Sequence, residues 1–193
     1  MTDIASLERR IDRIESRFAI QELVTAYCEA CDEHDMPRLA GLFTEDAVFD
    51  SPSGVLRAVG RDAIAEMFVG AFRVRGPGYH WTHDLTVGFD DSDPDRATGL
   101  VASHAETFVN GVASLAAMKY DDEFQRVGGR WLFSKRVIRF LYYVPAERYL
   151  EALKNKERLC FEGAWFEADY PEDLPAWKAF EREYKAGEPN LNT

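Results

Sequence analysis

Two short stretches hold the residues able to do chemistry. AYCEACDEHD, Ala26–Asp35, crowds Tyr27, Asp32, His34 and Asp35 together, and YHWTHD, Tyr79–Asp84, sets two histidines beside an aspartate. Acidic side chains compete for local backbone hydrogen bonds and expose charge, so a run such as DEHD marks the end of a helix. The bland reading is a solvated helix end. The reactive one pairs a helix carboxylate with a strand imidazole. Near neutral pH an imidazole with one free lone pair is a general base, and a carboxylate bonded to its other N–H fixes the tautomer and stabilises the imidazolium. Such proton transfer contributes on the order of 10²–10⁴-fold in rate. His80 and His83 are three apart on a predicted strand, so they point to opposite faces and should neither share a pocket nor chelate one metal. No carboxylate–histidine spacing completes a ligand set, and no metal is expected.

The elements that must position these groups follow from periodicity. Ile4, Leu7, Ile11, Ile14 and Phe18 recur at steps of three and four, the a/d seam of a short coiled-coil arm that should lie across its own domain or a neighbouring subunit. The stripe widens through Ile20, Leu23, Val24, Tyr27 and Cys31, enough to pack on a sheet. A second helix, Pro37–Phe43, has Asp35 as its N-cap. Short strands, Ala47–Asp50 and Leu56–Val59, flank the SPSG turn. A helix after Gly60 presents Ile64, Met67, Phe68 and Phe72 on one face, and RGPG, Arg75–Gly78, breaks it.

From His80 to Val144 the chain reads as antiparallel sheet. Leu85, Val87 and Phe89 alternate with polar residues, and long strands Arg96–Val109, Gly111–Arg126 and Arg130–Val144 are joined by N-G and G-G turns. The predicted class is α+β, a cone-shaped barrel with the curved sheet wrapped around a long N-terminal helix and two shorter ones. Residues 1–145 form this domain, with 1–18 as a helical arm. Residues 146–193 form a C-terminal extension, helical from Ala146 to about Lys156 and then rich in aromatics (Phe161, Trp165, Phe166, Tyr170, Trp177), expected to dock on the domain or on a neighbour.

Composition narrows the function classes. A hydrophobic content of 46% over 193 residues supports a buried core. A net charge of −11 and a pI near 4.9 argue against nucleic acid and anionic membranes as partners. Cys28 and Cys31 form a C-x-x-C without a second pair, and with Cys160 make an odd count, so packing is expected rather than redox or zinc chemistry. The N-terminus lacks a basic-then-apolar leader and no apolar run reaches the roughly 18 residues of a membrane span, so the cytoplasm is the expected location.

Three segments carry a family resemblance: AIQELVTAYCEACDEHDMPRLAGLFTEDAVF, HWTHDLTVGF and YDDEFQRVGGRWLFSKR. The chain resembles the SnoaL-like branch of the nuclear-transport-factor-type cone fold, and within it the lyases: hexachlorocyclohexane dehydrochlorinase, scytalone dehydratase and bile acid 7α-dehydratase. The likeness spans about Ala19–Pro145. It implies a catalytic dyad of Asp32 and His80 and an anion-facing arginine at Arg136. It also implies no cofactor, a homo-oligomer with a trimer favoured, and a hydrophobic small-molecule substrate. Tyr27, five residues before Asp32, lies roughly 140° from it around the axis and would flank the pocket, its hydroxyl serving a substrate oxygen or simply packing in the core. Arg139, three residues beyond Arg136, is a second candidate if a bulge turns it inward.

Two departures qualify the likeness. Positions where related lyases carry a second histidine or an aspartate hold Val101 and Ala105 here, leaving His104 as a weak substitute. Apolar candidates for the pocket wall are Phe49, Met67, Phe68, Phe72, Met118, Tyr120 and Tyr142.

The implied reaction is dehydration-type elimination, or retro-aldol cleavage releasing formaldehyde, on an aromatic or polycyclic compound. Cyclisation or isomerisation is the third option. Two other classes share the fold: a non-catalytic subunit, like the small subunits of ring-hydroxylating dioxygenases, and a small-molecule carrier.

Overall fold

The computed structural model describes residues 3–185. Residues 1–2 of the expected arm and 186–193 of the expected extension lie outside them. Helix α1 is continuous over Ile4–Asp32, so arm and core helix are one rod. It stops where His34 adopts φ +55°, the left-handed conformation that closes many helix C-termini. Asp35 then caps α2, Met36–Ala40, by accepting from the Arg38 N–H at 3.1 Å.

Strand β1, Phe43–Asp50, is longer than expected, and β2 is reduced to Ala58–Val59. Helix α3 spans Arg61–Phe72. The meander is β3 (Arg75–Phe89), β4 (Arg96–Val109), β5 (Val112–Val127) and β6 (Arg130–Pro145). Its last two turns have both central residues at positive φ, Asn110-Gly111 and Gly128-Gly129, the geometry that matches strand twist. The sheet order is β2-β1-β6-β5-β4-β3, antiparallel except that β1 runs parallel to β6.

RGPG follows the end of α3 at Phe72 and is itself part of a strand. It opens β3, where the register slips between Arg75 and Gly78, and β3 is the sheet's edge, the place a proline is tolerated. The extension also differs from expectation. Only Ala146–Glu151 coils, as a 3₁₀ turn, and a hairpin of β7 (Glu157–Phe161) and β8 (Ala164–Glu167) follows. Its turn, Glu162-Gly163, again has both residues at positive φ, and β7 pairs parallel with β6 at Tyr143↔Leu159. A short helix α4, Pro175–Phe180, ends in one π turn, Glu181–Lys185.

Arg158, 2% exposed, ties this extension down. It pairs with both Glu172 carboxylate oxygens at 2.8 Å and donates to the carbonyls of Leu141, Asn155 and Tyr170. One core fills the concave side, built from Ile20, Leu23, Val24 and Tyr27 of α1, Ile64 and Phe68 of α3, and the inward residues of the sheet.

Candidate active site

Asp32 is the last residue of α1, and its carboxylate reaches the first inward residues of β3. Oδ1 lies 2.6 Å from His80 Nδ1, and Oδ2 accepts the His80 backbone N–H at 2.8 Å. An ionised carboxylate only accepts, so Nδ1 carries the hydrogen, and in the neutral form of the ring the lone pair is on Nε2. Both side chains are nearly buried, 13% and 10% exposed. Burial opposes ionisation of Asp32, but the hydrogen bonds and charge of His80, with Arg75 beyond, outweigh it and hold the carboxyl below its ordinary range.

Two irregularities of β3 create this meeting. Strict alternation back from Leu85, Val87 and Phe89 would point His83 inward. The register slips between Thr82 and Leu85, the phase flips, and His80 and Thr82 face the core instead. The second slip, at Gly76–Pro77, sends the Arg75 side chain back over Gly78. A Cβ on Gly78 would sit 2.6 Å from Arg75 Nη2.

That guanidinium donates to Asp32 Oδ1 at 3.0 Å, its side chain 10% exposed and stacked 5.6 Å from the Phe72 ring. Phe72 in turn stacks on His34, 4.4 Å between centroids and 11° from parallel. Sequence reasoning missed Arg75 because the RGPG stretch reads as a helix breaker. The available signal was a Gly-Pro-Gly at the start of an edge strand.

Deeper in the cone lies Arg136, 1% exposed. It makes two parallel bonds to Asp122, at 2.9 and 2.8 Å, and its guanidinium carbon is 4.1 Å from the ring centroids of Tyr27 and Tyr120 and 4.2 Å from that of Phe133. Burial pushes the Asp122 carboxyl up while the guanidinium pulls it back. Burial also acts against the Arg136 charge, yet Asp122 holds that proton more tightly than usual. The fork-on-fork geometry is that of an ionised pair. Nη1 is buried without a partner. Tyr27 packs edge-on against Phe43, Phe68, Tyr120 and Phe133, and burial, foremost, raises its hydroxyl well above the ordinary value.

Of the apolar candidates, Phe49, Phe68, Met118 and Tyr120 are buried in the core, with Met67 and Phe72 partly buried against it. Three expected site residues lie on the other side of the sheet. Arg139 alternates outward from Arg136 and pairs with Asp121, and no bulge intervenes between them. Tyr142 would share the inward face of Phe140, but β6 carries an extra residue at Leu141. The slip turns Tyr142 outward to Tyr149 and brings Tyr143 in. His104 is exposed, its Nδ1 2.8 Å from His83 Nε2. Tyr143, unanticipated, bonds through its hydroxyl to Thr107 at 2.7 Å and stacks on Phe161 of β7 at 5.0 Å.

Open clefts of about 660 and 590 Å³ border Phe89–Asp93 and Asp121–Glu123, and neither is lined by Asp32 or His80. Burial pushes the Cys31 thiol up to about 12 and raises that of Cys28, so neither is a thiolate nucleophile. Among the described residues no group of three or more His, Cys, Asp or Glu side chains converges on one point. No helix of the described residues is long and apolar enough to cross a membrane.

Comparison with known proteins adds relatives to this geometry. The SnoaL-like domain family matches residues 12–137, well over half of the chain. The gamma-hexachlorocyclohexane dehydrochlorinase of Sphingobium indicum is 27% identical over 143 residues, 70% of this chain and 86% of that one. The crystal structure of LinA superposes with a TM-score of 0.66 at 25% identity, covering 71% of this chain and 93% of the other. A scytalone dehydratase-like protein of Novosphingobium aromaticivorans, 21% identical with a TM-score of 0.65 over 70% and 91% of the two chains, shares the fold.

Proposed function

The chain belongs to the SnoaL-like family, and from that membership we propose that it is a cofactor-independent lyase acting on a hydrophobic, aromatic or polycyclic small molecule. The observation that carries this reading is the Asp32–His80 hydrogen bond, with one imidazole nitrogen left as a base. His80 Nε2 takes a proton from carbon or from a hydroxyl, and Asp32 stabilises the imidazolium. The leaving group departs as halide, or as water when the imidazolium returns the proton to the departing hydroxyl. After hydroxyl deprotonation a carbon–carbon bond breaks instead to release an aldehyde such as formaldehyde, and the imidazolium protonates the carbanion left behind. Arg136 Nη1 and the Tyr27 hydroxyl are the interior donors for charge that develops on a leaving group or oxygen.

The catalytic set proposed is therefore His80, Asp32, Tyr27 and Arg136, with Arg75 positioning Asp32. Arg136 is a weaker electrostatic partner than a lone arginine would be, since Asp122 already balances its charge. Elimination leads, and cyclisation or isomerisation would use the same base. The dehydrochlorination of its curated relative belongs to that protein, and chlorinated cyclohexanes enter here only as members of the test panel.

A second reading, a non-catalytic protein of the same fold, draws on a different observation: the interior around Tyr27 is filled by Phe68, Tyr120 and Phe133. Incubation with phenolic, polyketide, steroidal and chlorinated candidates, followed by mass spectrometry for wild type and His80→Ala, separates the two. Mass loss with wild type alone supports the lyase. Ligand binding without turnover, unaffected by His80→Ala, supports the non-catalytic protein.

A further inference from the structure

The first half of α1 has two faces. Asp12 and Ser16 contact Arg126, Arg13 pairs with Asp91, Arg17 donates to the Val87 carbonyl at 3.2 Å, and both Arg13 and Arg17 lie over the Phe89 ring. At 100° per residue these four positions centre nearly opposite Ile4, Leu7, Ile11, Ile14 and Phe18. Those five are 74%, 47%, 46%, 56% and 62% exposed. An amphipathic helix docked on a domain buries its apolar face, and this one turns that face away. The stripe ends sharply, since the next seam positions are Gln21 and Thr25, both exposed.

We infer that this seam is an interface with the arm of a second copy of this chain, the two arms running parallel. The charges flanking the seam select both partner and direction. One flank holds Glu8, Glu15 and Glu22, the other Asp3, Arg10 and Arg17. In a parallel pair each flank meets the opposite flank of the other helix, displaced by five residues. Arg10 then faces Glu15 of the second copy, whereas Arg17 is held by the Val87 carbonyl and the Phe89 ring of its own domain and is no partner for Glu22. Asp3 against Glu8 at the outer end is the like-charged exception. In an antiparallel pair glutamates would face glutamates and arginines face arginines. Because the docked face is on the far side of the rod, two domains attached this way stand on opposite sides of the seam.

The test uses the full chain carrying Leu7→Cys, a seam position that meets its own counterpart in a parallel pair. The native thiols are buried or half-buried, so the new one is distinguishable. Mild oxidation should give a disulfide-linked dimer on non-reducing gels. Adding Ile11→Glu and Ile14→Glu should abolish it and lower the sedimenting mass of the otherwise wild-type protein by an association step. Both positions are exposed, and circular dichroism checks that the fold survives. A monomeric wild type at micromolar concentration, no cross-link, or cross-linking and assembly unchanged by the glutamates would overturn the inference, the last pointing instead to the exposed Tyr79–Trp81 face of the sheet.

Discussion

Arg75 and His80 lean on the same oxygen: Asp32 Oδ1 is 3.0 Å from Arg75 Nη2 and 2.6 Å from His80 Nδ1. A carboxylate oxygen shared between a fixed cation and an imidazole is oriented by one and polarises the other. The guanidinium thus aims the carboxylate at the ring.

Replacing Arg75 with Gln should lower kcat with little change in KM, because the residue acts through Asp32. A charge-assisted hydrogen bond is worth about 1.5–3 kcal/mol, or roughly 10- to 150-fold in rate. Arg75→Lys should recover part of the loss. Steady-state kinetics on the substrate found by the panel checks both, and an unchanged kcat in Arg75→Gln would remove Arg75 from the account.

Gly78→Ala should reproduce that defect without unfolding the protein. The new Cβ meets the far end of a flexible side chain, 2.6 Å from Nη2, so the guanidinium moves and the backbone does not. Stability should stay within about 1 kcal/mol of wild type. The double variant with Arg75→Gln should be no slower than Arg75→Gln alone, since both remove one interaction. Additive losses would mean that the glycine matters for another reason.

Arg136→Met should cost about 3–5 kcal/mol in denaturant unfolding, because it strands the Asp122 carboxylate in a dry interior. Asp122→Leu in the same background should restore much of that stability, but not activity. A single variant as stable as wild type would contradict an ionised buried pair.

Stability should also report on Asp32 through pH. Its carboxyl is depressed in the folded protein, so the unfolded chain binds the proton more tightly. The stabilisation is therefore complete above the unfolded value, about 3.9, and lost as pH falls through the lower folded value. Wild type and Asp32→Asn should differ most near neutrality and converge in acid below about pH 4. A gap that widens on acidification would reverse the sign and refute the depressed pKa.

The parts legible in the sequence were those governed by strict periods and turn chemistry. The long helix follows from steps of three and four, and two hairpins follow from Asn110-Gly111 and Gly128-Gly129. Helix-end Asp32 and strand His80, singled out together, are also the two that touch. Irregular positions were not legible, because one extra residue inverts every face beyond it. The slip at Leu141 is why Tyr142 points outward and Tyr143 inward, and the slip before Leu85 is why His83 is outside. The β7–β8 hairpin escaped notice within an aromatic run, although Glu162-Gly163 is a two-residue turn signal.

The central claim is that an imidazole held by Asp32 removes the substrate proton. The most direct measurement compares kcat/KM of wild type, His80→Ala and Asp32→Asn on the first substrate that turns over, with unfolding curves recorded on the same samples. The account predicts a loss of about 10²–10⁴-fold in His80→Ala and a loss of at least about tenfold in Asp32→Asn, with the fold intact in both. A folded His80→Ala protein that keeps wild-type kcat/KM would contradict it.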